Sequence, residues 1–313
     1  MNHFVPASSH PYASASYARA LPHMGQPVAI PEWGTSLIAR DIPGADGAQD
    51  AAGTYPICIL AADADLAGGL QRLQRAGFVS VTLVIDDFHH PGQKALHEHF
   101  DLVRPFKSHY IADFRRGEPC TPSRHHRNEI RRSLRQVRTA PFTLGERMEE
   151  WLALYAQLGE RHALSSLHRF PRTHFEMLAT SDQFVSIGAF NTRDELLAAH
   201  IWAGDKGFWH SHLAASSAEG YACAAAYAVN DASIRYFSGE CLVNLGGGAG
   251  HTEQSDDGLA MFKKGFANGT ALSYLCCAVL DAKRYNALSG EHPAGSFFPA
   301  YRAPQSTPDE VKA

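Results

Sequence analysis

Apolar and polar positions in the C-terminal half of the chain predict a pair of helices followed by a strand meander. Apolar residues recur at spacings of three and four from residue 148, and a second helical run covers residues 173–178. Apolar runs joined by the turn-like segments NTRDE and GDKG predict strands over residues 184–190, 196–203 and 207–214. This half therefore combines helices with neighbouring strands.

Strands also alternate with helices in the N-terminal half. We predict strands over residues 55–61, 78–85 and 107–114, and helices over residues 65–76 and 91–100. This alternation favours an α/β layer.

Residues 1–53 are rich in Ala, Ser, Pro, Gly and His and show no apolar core segment. We predict an irregular segment with a mobile start, and order beginning near Tyr55. A signal peptide needs an apolar run of about 7–15 residues and a membrane span needs about 18, and we find neither pattern.

The six cysteines show no CxxC spacing, which is typical of reduced, mostly buried thiols. We expect a cytoplasmic protein.

The composition, 45% apolar and 19% charged over 313 residues, indicates a soluble globular protein long enough for two domains. Lys and Arg number 28 against 32 Asp and Glu, so the formal charge is −4. The molecule as a whole is not a polycation that coats nucleic acid, and we predict no DNA partner. Any contact with RNA must therefore be confined to a basic patch on part of the surface.

Three consecutive glycines, Gly246, Gly247 and Gly248, end a predicted strand that starts at residue 241. A polar loop follows, and Asp257 is the predicted N-cap of a short helix over residues 258–266. No Gly-Lys-Ser/Thr follows the glycines, which argues against a phosphate loop. The dinucleotide fingerprint GxGxxG fails as well, because His251 stands where its last glycine belongs.

This stretch, LGGG followed by a loop and DGLAMFKKGF, resembles the C-terminal signature of the Fem-type peptidoglycan-bridge aminoacyl transferases and their relatives, LGGG and DGLxxFKxGF. The resemblance covers roughly residues 80–286 and is strongest after residue 239. Members of this group are tandem GNAT-fold proteins. They move an aminoacyl group from aminoacyl-tRNA, or in other branches an acyl group from coenzyme A, onto an amine.

The resemblance implies an α/β (α+β) fold of two tandem GNAT-like domains, with mixed central sheets flanked by helices. We place a degenerate first domain at residues 54–145. The second domain, with the acyl-transfer site, is placed at residues 146–292. Residues 293–313 form a C-terminal tail that we expect to fold back over a groove.

The Phe262-Lys263 pair aligns with the Phe-Lys pair of the signature. The resemblance implies that the Lys263 ammonium meets the developing oxyanion and that the Phe262 backbone lies beside the reacting carbonyl. An isolated lysine pair on a short helix is otherwise a surface feature. Lys264 points about 100° away from Lys263 and is expected to be solvated.

A basic helix is predicted over residues 122–138, with Ile130, Leu134 and Val137 on its apolar face. Five arginines form a stripe beside that face: Arg124, Arg127, Arg131, Arg135 and Arg138. A basic stripe is commonly a solvated surface, but arginine also grips phosphates by its planar fork. The stripe would therefore suit a tRNA acceptor stem or a coenzyme A pyrophosphate, and its position matches the RxxIRxxxR helix of the family.

A further donor-phosphate candidate is Gly220, just before an alanine-rich helix predicted over residues 221–237. GNAT proteins carry [QR]xxGx[GA] there, whereas this chain has Ser217-Ala-Glu-Gly220-Tyr-Ala222. The serine departs from the pattern, which weakens an acetyl-CoA donor without excluding it.

Other polar residues are candidates for substrate binding. Tyr110 and Asp113 resemble the hydrophobic-plus-Asp strand that precedes the basic helix of Fem-type proteins. His210 and His212 share one face of a predicted strand, a spacing that metals use, but the absence of a matching carboxylate or cysteine favours polar cleft residues, and we predict no metal. His251 and Asp256 in the glycine loop are candidates to touch the acceptor amine, although either suits a turn.

Three functions remain open from the sequence. The first is transfer of an aminoacyl group from aminoacyl-tRNA to an amine, such as a peptidoglycan precursor or a small metabolite, by direct attack without a covalent intermediate. The second is an acyl-CoA-dependent N-acyltransferase acting on a small amine or amino acid, and the third is an inactive GNAT-fold binding module. For the two enzymes we expect no tightly bound cofactor, only the donor as co-substrate.

Overall fold

The structure, a computed structural model, describes residues 10–115, 117, 120–162, 166–205, 207–239, 241–248, 258–290 and 297–303. The strands are β1 (Gln26–Ile30), β2 (Thr35–Asp41), β3 (Gln49–Ala52), β4 (Ser80–Asp86), β5 (Leu102–Asp113), β6 (Arg138–Phe142), β7 (Phe184–Phe190), β8 (Leu196–Asp205), β9 (Phe208–Ser216), β10 (Leu242–Gly246) and β11 (Gly269–Val279). The helices are α1 (Ala15–Arg19), α2 (Leu66–Arg75), α3 (Gln93–His99), α4 (Arg124–Ser133), α5 (Met148–Arg161), α6 (Arg172–Ala179), α7 (Ala218–Ala222), α8 (Ala225–Tyr236), α9 (Gly258–Lys264) and α10 (Ala282–Ser289).

The eleven strands of the described ranges join in one mixed sheet of order β1-β2-β3-β4-β11-β5-β10-β9-β8-β7-β6. The pairs β3–β4 and β9–β10 run parallel, and the other pairs are antiparallel. The late strand β11 lies between β4 and β5, so the end of the chain completes the N-terminal half of the sheet. The predicted mixed α/β architecture is confirmed.

Several apolar clusters hold helices on this sheet. One packs α5 and α6 on β7 and β8, around the fully buried Trp151 and Phe175. A second packs α2 and α3 on β1–β4 and β11. A third joins α4, α8 and α9 to β5 and β10 through residues such as Ile130, Val243 and Phe266. This third cluster positions the predicted transfer site.

The prediction of an irregular segment up to residue 53 is wrong for residues 10–53. This segment forms α1, β1, β2 and β3, and Tyr12 and Tyr17 are fully buried. The Tyr17 hydroxyl donates to the carbonyl of Tyr55 over 2.6 Å. A few large aromatic anchors thus order a segment whose average composition is typical of a loose terminus.

The predicted strand at residues 55–61 is also absent from the assigned strands. The segment does run beside β4, because the Cys58 N–H donates to the Val84 carbonyl. Pro56 has no N–H to donate, which interrupts the ladder.

Two predicted helices end or break early. Helix α4 stops at Ser133, which leaves Leu134 exposed and places Arg138 on the edge strand β6. The alanine-rich run divides into α7 and α8 at Ala224, whose φ is +57°. Because alanine favours helix at every position, propensity alone could not locate this break.

The described part of the C-terminal tail, residues 297–303, packs against the strands near Asp50 rather than beside the glycines. The Arg302 guanidinium pairs with the buried Asp50 carboxylate, which also accepts from Arg40 and from the Tyr301 hydroxyl. The tail therefore supports β3 and β4.

Candidate active site

The glycines at the end of β10 allow other groups to approach the backbone closely. Gly246 has φ +78°, and a Cβ on it would lie 3.0 Å from the Lys263 Nζ. A Cβ on Gly247 would lie 3.1 Å from the Ser108 carbonyl oxygen on β5. Side chains at these positions would push against the lysine and the neighbouring strand.

Strands β9 and β10 part at this point. Their parallel pairing ends at Asn244 opposite His210, while β9 continues to Ser216. A bulge between Asn244 and Gly246 also shifts the register of β10 against β5. The end of β10 is thus held on the β5 side and diverges from β9.

Lys263 points to this end of β10. Its side chain is half-buried, and its Nζ donates a hydrogen bond to the Gly247 carbonyl over 2.7 Å. Lys107 on β5 donates to the next carbonyl, that of Gly248, over 3.3 Å. Two ammonium groups from distant parts of the chain therefore meet the glycine turn. Lys264 is exposed, as the 100° step along the helix predicts.

The helix that carries Lys263 is held by α4. The His126 imidazole lies 2.8 Å from the Phe262 carbonyl oxygen, which can only accept, so His126 Nε2 donates this bond. The N–H of Ser123 donates to the Gly265 carbonyl. A Cβ on Gly265 would meet the His126 ring at 2.1 Å, so only glycine fits there. The Phe262 ring packs edge-on against Tyr227 on α8.

Two buried imidazoles lie near the Lys263 ammonium and are neutral at neutral pH. Burial, His210 and Lys263 together lower the pKa of His109 to about 4. Burial and then Lys263 lower the pKa of His200 to about 3. His200 Nε2 lies 2.8 Å from the Ser211 hydroxyl. The ammonium therefore lies near two polar rings that carry no charge at neutral pH.

Two buried imidazoles, His109 on β5 and His174 on α6, give a testable dependence of stability on pH. Burial lowers the pKa of His109 and of His174 to about 4 each, below the ordinary value of 6.5. Between these values the unfolded chain binds protons that the fold excludes, so the free energy of unfolding falls as the pH is lowered from 6.5 to 4. Each imidazole contributes about 1.4 kcal/mol per pH unit in this window.

Urea unfolding of His109→Gln over this pH range should show a shallower loss of stability than the wild type. His97→Gln, a change at an exposed position, is the matched control. An unchanged slope in His109→Gln would contradict the assignment of a buried neutral ring.

His210 and His212 lie in a buried polar network on β9. His210 contacts Asp86 Oδ2 over 3.1 Å and His10 over 3.0 Å, and His212 contacts the Tyr12 hydroxyl over 3.0 Å. The N-terminal segment therefore covers both histidines. In the described ranges, no group of three or more His, Cys, Asp or Glu side chains is arranged to hold a metal.

Tyr110 and Asp113 lie at different ends of β10. Tyr110 pairs with Gly246 and packs, half-buried, into the cluster below α4 and α8. Asp113 pairs with Leu242 at the start of β10 and is held by a two-pronged contact with Arg115, both distances being 2.9 Å. Only Tyr110 therefore neighbours the glycine end.

The arginine stripe is shorter than predicted, because Arg138 lies outside α4. Arg138 pairs with Asp194 and its guanidinium lies 4.4 Å from the centre of the Phe190 ring. The other four arginines, Arg124, Arg127, Arg131 and Arg135, are exposed on and just after α4. Arg124, Arg127 and Arg131 lie on the helix whose His126 donates a hydrogen bond to the Phe262 carbonyl, so the basic surface packs next to the helix that carries Lys263.

Close packing explains why glycine occupies position 220. Its N–H donates to the Ser217 hydroxyl over 3.0 Å, and a Cβ on it would lie 2.3 Å from the Leu197 carbonyl oxygen. Its amide is thus already engaged by the N-cap of α7. The candidates His251 and Asp256, and the predicted N-cap Asp257, lie outside the described residues.

Sequence reasoning missed the polar residues that surround Lys263. His109 Nδ1 lies 3.1 Å from Asn244 Oδ1, although the two residues are 135 positions apart. Lys107 and His126 were missed for the same reason. The one local signal was a polar asparagine inside the apolar strand before the glycines.

Comparison with solved structures identifies the fold. The crystal structure of FemX aligns with a TM-score of 0.62 at 13% identity, covering 90% of this chain and 96% of that chain. The C-terminal domain (DUF2156) of a protein from Agrobacterium fabrum assigned as a lysylphosphatidylglycerol synthetase aligns with a TM-score of 0.60 at 13% identity, covering 85% and 87%. L-PGS from Bacillus licheniformis aligns with a TM-score of 0.56 at 12% identity, covering 86% and 93%.

The chain therefore shares the fold of FemX and of these two structures, as its glycine and Phe-Lys signature predicted. No protein-family profile and no curated protein sequence matches it. None of the helices in the described ranges is both long and apolar enough to cross a bilayer.

Proposed function

We propose that this protein is an N-acyltransferase that moves an aminoacyl group from aminoacyl-tRNA to an amine. The observation that carries the proposal is the Lys263 ammonium, which is half-buried and lies 2.7 Å from the Gly247 carbonyl at the glycine end of β10. A positive charge held at a strand break is suited to an oxygen that becomes negative during reaction. The Fem-type fold of the chain agrees with this chemistry.

The proposed reaction needs no covalent enzyme intermediate. The amine nitrogen forms a bond to the ester carbonyl carbon, and the carbonyl π electrons move to the oxygen, where the lysine ammonium stabilises them. When the carbonyl re-forms, the bond to the tRNA ribose oxygen breaks. That oxygen leaves with its electron pair and takes up a proton, and the nitrogen loses one. Positioning and charge stabilisation supply the rate enhancement because the ester is already activated.

Two observations support tRNA over coenzyme A as the donor. The exposed row of Arg124, Arg127, Arg131 and Arg135 offers guanidinium groups for a phosphate backbone. By contrast, the Gly220 N–H, which would hold the coenzyme A phosphates in a GNAT protein, already donates to Ser217. An acyl-CoA donor remains the competing hypothesis within enzymes.

Donor choice is tested by incubating the protein separately with radiolabelled aminoacyl-tRNA and acyl-CoA pools. The acceptor panel contains small amines, amino acids, a peptidoglycan precursor and, because one neighbour is assigned as a lysylphosphatidylglycerol synthetase, vesicles with phosphatidylglycerol. We expect discharge of the aminoacyl-tRNA pool that depends on an amine acceptor. Discharge of acyl-CoA alone would show that acyl-CoA is the donor. Discharge of neither pool would support the inactive binding module.

A further inference from the structure

The side-chain amide of Asn244 has a fixed orientation. Asn244 lies on β10 and is 1% exposed. Its Oδ1 accepts the backbone N–H of Gly246 over 2.8 Å. A backbone N–H can only donate, so the atom facing Gly246 must be the oxygen and the amide cannot be flipped. The contact of 3.1 Å from His109 Nδ1 to the same oxygen is therefore a bond that His109 donates.

This orientation leaves the Asn244 Nδ2 as a buried donor. Within the described residues, Nδ2 has no hydrogen-bond partner. An unpaired buried polar group costs about 1–3 kcal/mol, so an amide is an unfavourable choice here for stability alone. Such a group calls for an explanation, and a ligand atom that pairs with it is one.

The Asn244 side chain and Lys263 both lie next to Gly246. Asn244 Oδ1 holds the N–H of Gly246, and the Lys263 Nζ lies 3.0 Å from the position of a Gly246 Cβ. Asn244 is also the last β10 residue paired with β9, so it stands where the two strands part. A buried amide N–H without a partner in the described residues therefore lies at the end of β10, where Lys263 is predicted to meet the oxyanion.

We propose that the Asn244 side-chain N–H is a second donor to the acyl oxygen, beside the Lys263 ammonium. This inference rests on the proposed acyl transfer. As the amine attacks and the carbonyl π electrons move to oxygen, the Asn244 N–H gains the partner that it lacks in the protein alone. The gain is largest when the oxygen is most negative, so the interaction favours the transition state over bound donor.

His109 acts as a positioning residue in this arrangement. Its Nδ1–H and the Gly246 N–H donate to the same Asn244 oxygen, which fixes the orientation of the side-chain amide and hence of Nδ2. A fixed donor of this kind needs no reorganisation when the oxyanion forms.

The decisive variant is Asn244→Asp, which keeps the oxygen that Gly246 and His109 use and replaces Nδ2 by an acceptor. We expect kcat to fall about 10²-fold or more with KM for the donor unchanged, as for loss of one oxyanion donor. Because Nδ2 has no partner among the described residues, the melting temperature should not fall through loss of a bond to that atom. Asn244→Ala is the second variant, in case the added charge prevents folding.

Ser289→Ala is the matched control, since it removes another buried polar atom without a partner in the described ranges, on α10 and outside the site. Its kcat should equal that of the wild type. A kcat within twofold of the wild type for either folded Asn244 variant, or loss of folding in both, would overturn the inference and indicate a structural role. If the wild type transfers no acyl group, the proposed function itself fails, and that result is visible before any variant is compared.

Discussion

Lys263→Met is expected to lower kcat for acyl transfer by about 10²-fold or more, since removal of one oxyanion-stabilising group has this effect in other enzymes. The charge is lost while the length and apolar stem of the side chain are kept. Donor affinity should change little, because the ammonium contributes most when the oxygen becomes negative. Single-turnover kinetics with prebound donor would measure the chemical step directly.

Lys264→Met is the matched control for this experiment. It removes the same charge from the neighbouring position, whose side chain is exposed. We expect its kcat to equal that of the wild type. Equal losses in both variants would indicate a general electrostatic effect of α9, and an unchanged rate in Lys263→Met would remove the lysine from the mechanism.

Replacement of Arg124, Arg127, Arg131 and Arg135 by glutamine is expected to weaken aminoacyl-tRNA binding steeply. Each arginine that neutralises a phosphate releases a counterion, so loss of four contacts should make the slope of log affinity against log salt shallower by about 3. Filter binding over a range of salt concentrations measures this slope. Turnover at saturating donor should change less than affinity.

The control for this charge change is a second set of four substitutions far from α4. Arg75, Lys94, Lys283 and Arg284 are exposed on α2, α3 and α10, and their replacement by glutamine removes the same net charge. This set should leave both affinity and salt slope near wild type. Similar losses in the two sets would mean that the α4 surface has no specific role in donor binding.

Local sequence patterns predicted the helices and strands whose apolar residues recur at a regular spacing. The strand at residues 184–190 matches β7, because its apolar runs face packed neighbours along the sheet. The helix that presents Lys263 was also placed correctly, because the glycine break and the Phe-Lys pair lie close together in sequence. In these regions, local preference and tertiary packing agree.

The missed features depend on partners that are distant in sequence. Tyr12 and Tyr17 order the N-terminal segment only because they contact groups such as His212 and Tyr55. From sequence, Asn244 is only a polar residue inside an apolar strand, and its role becomes visible when the fold places His109 beside it. Arg138 fits a helical stripe by spacing, but pairing with β7 places it on a strand. Tertiary contacts override local pattern in each case.

The proposed reaction forms a new amide, and the chemical stability of the transferred label distinguishes an amide from an ester. Labelled aminoacyl-tRNA is incubated with the protein and an amine acceptor, and the acceptor is then isolated and treated with mild alkali, which cleaves esters but leaves amides intact. We expect alkali-stable label on the acceptor, in amounts that depend on Lys263. Label that remains on the tRNA, is released as free amino acid, or leaves the acceptor in alkali would contradict it.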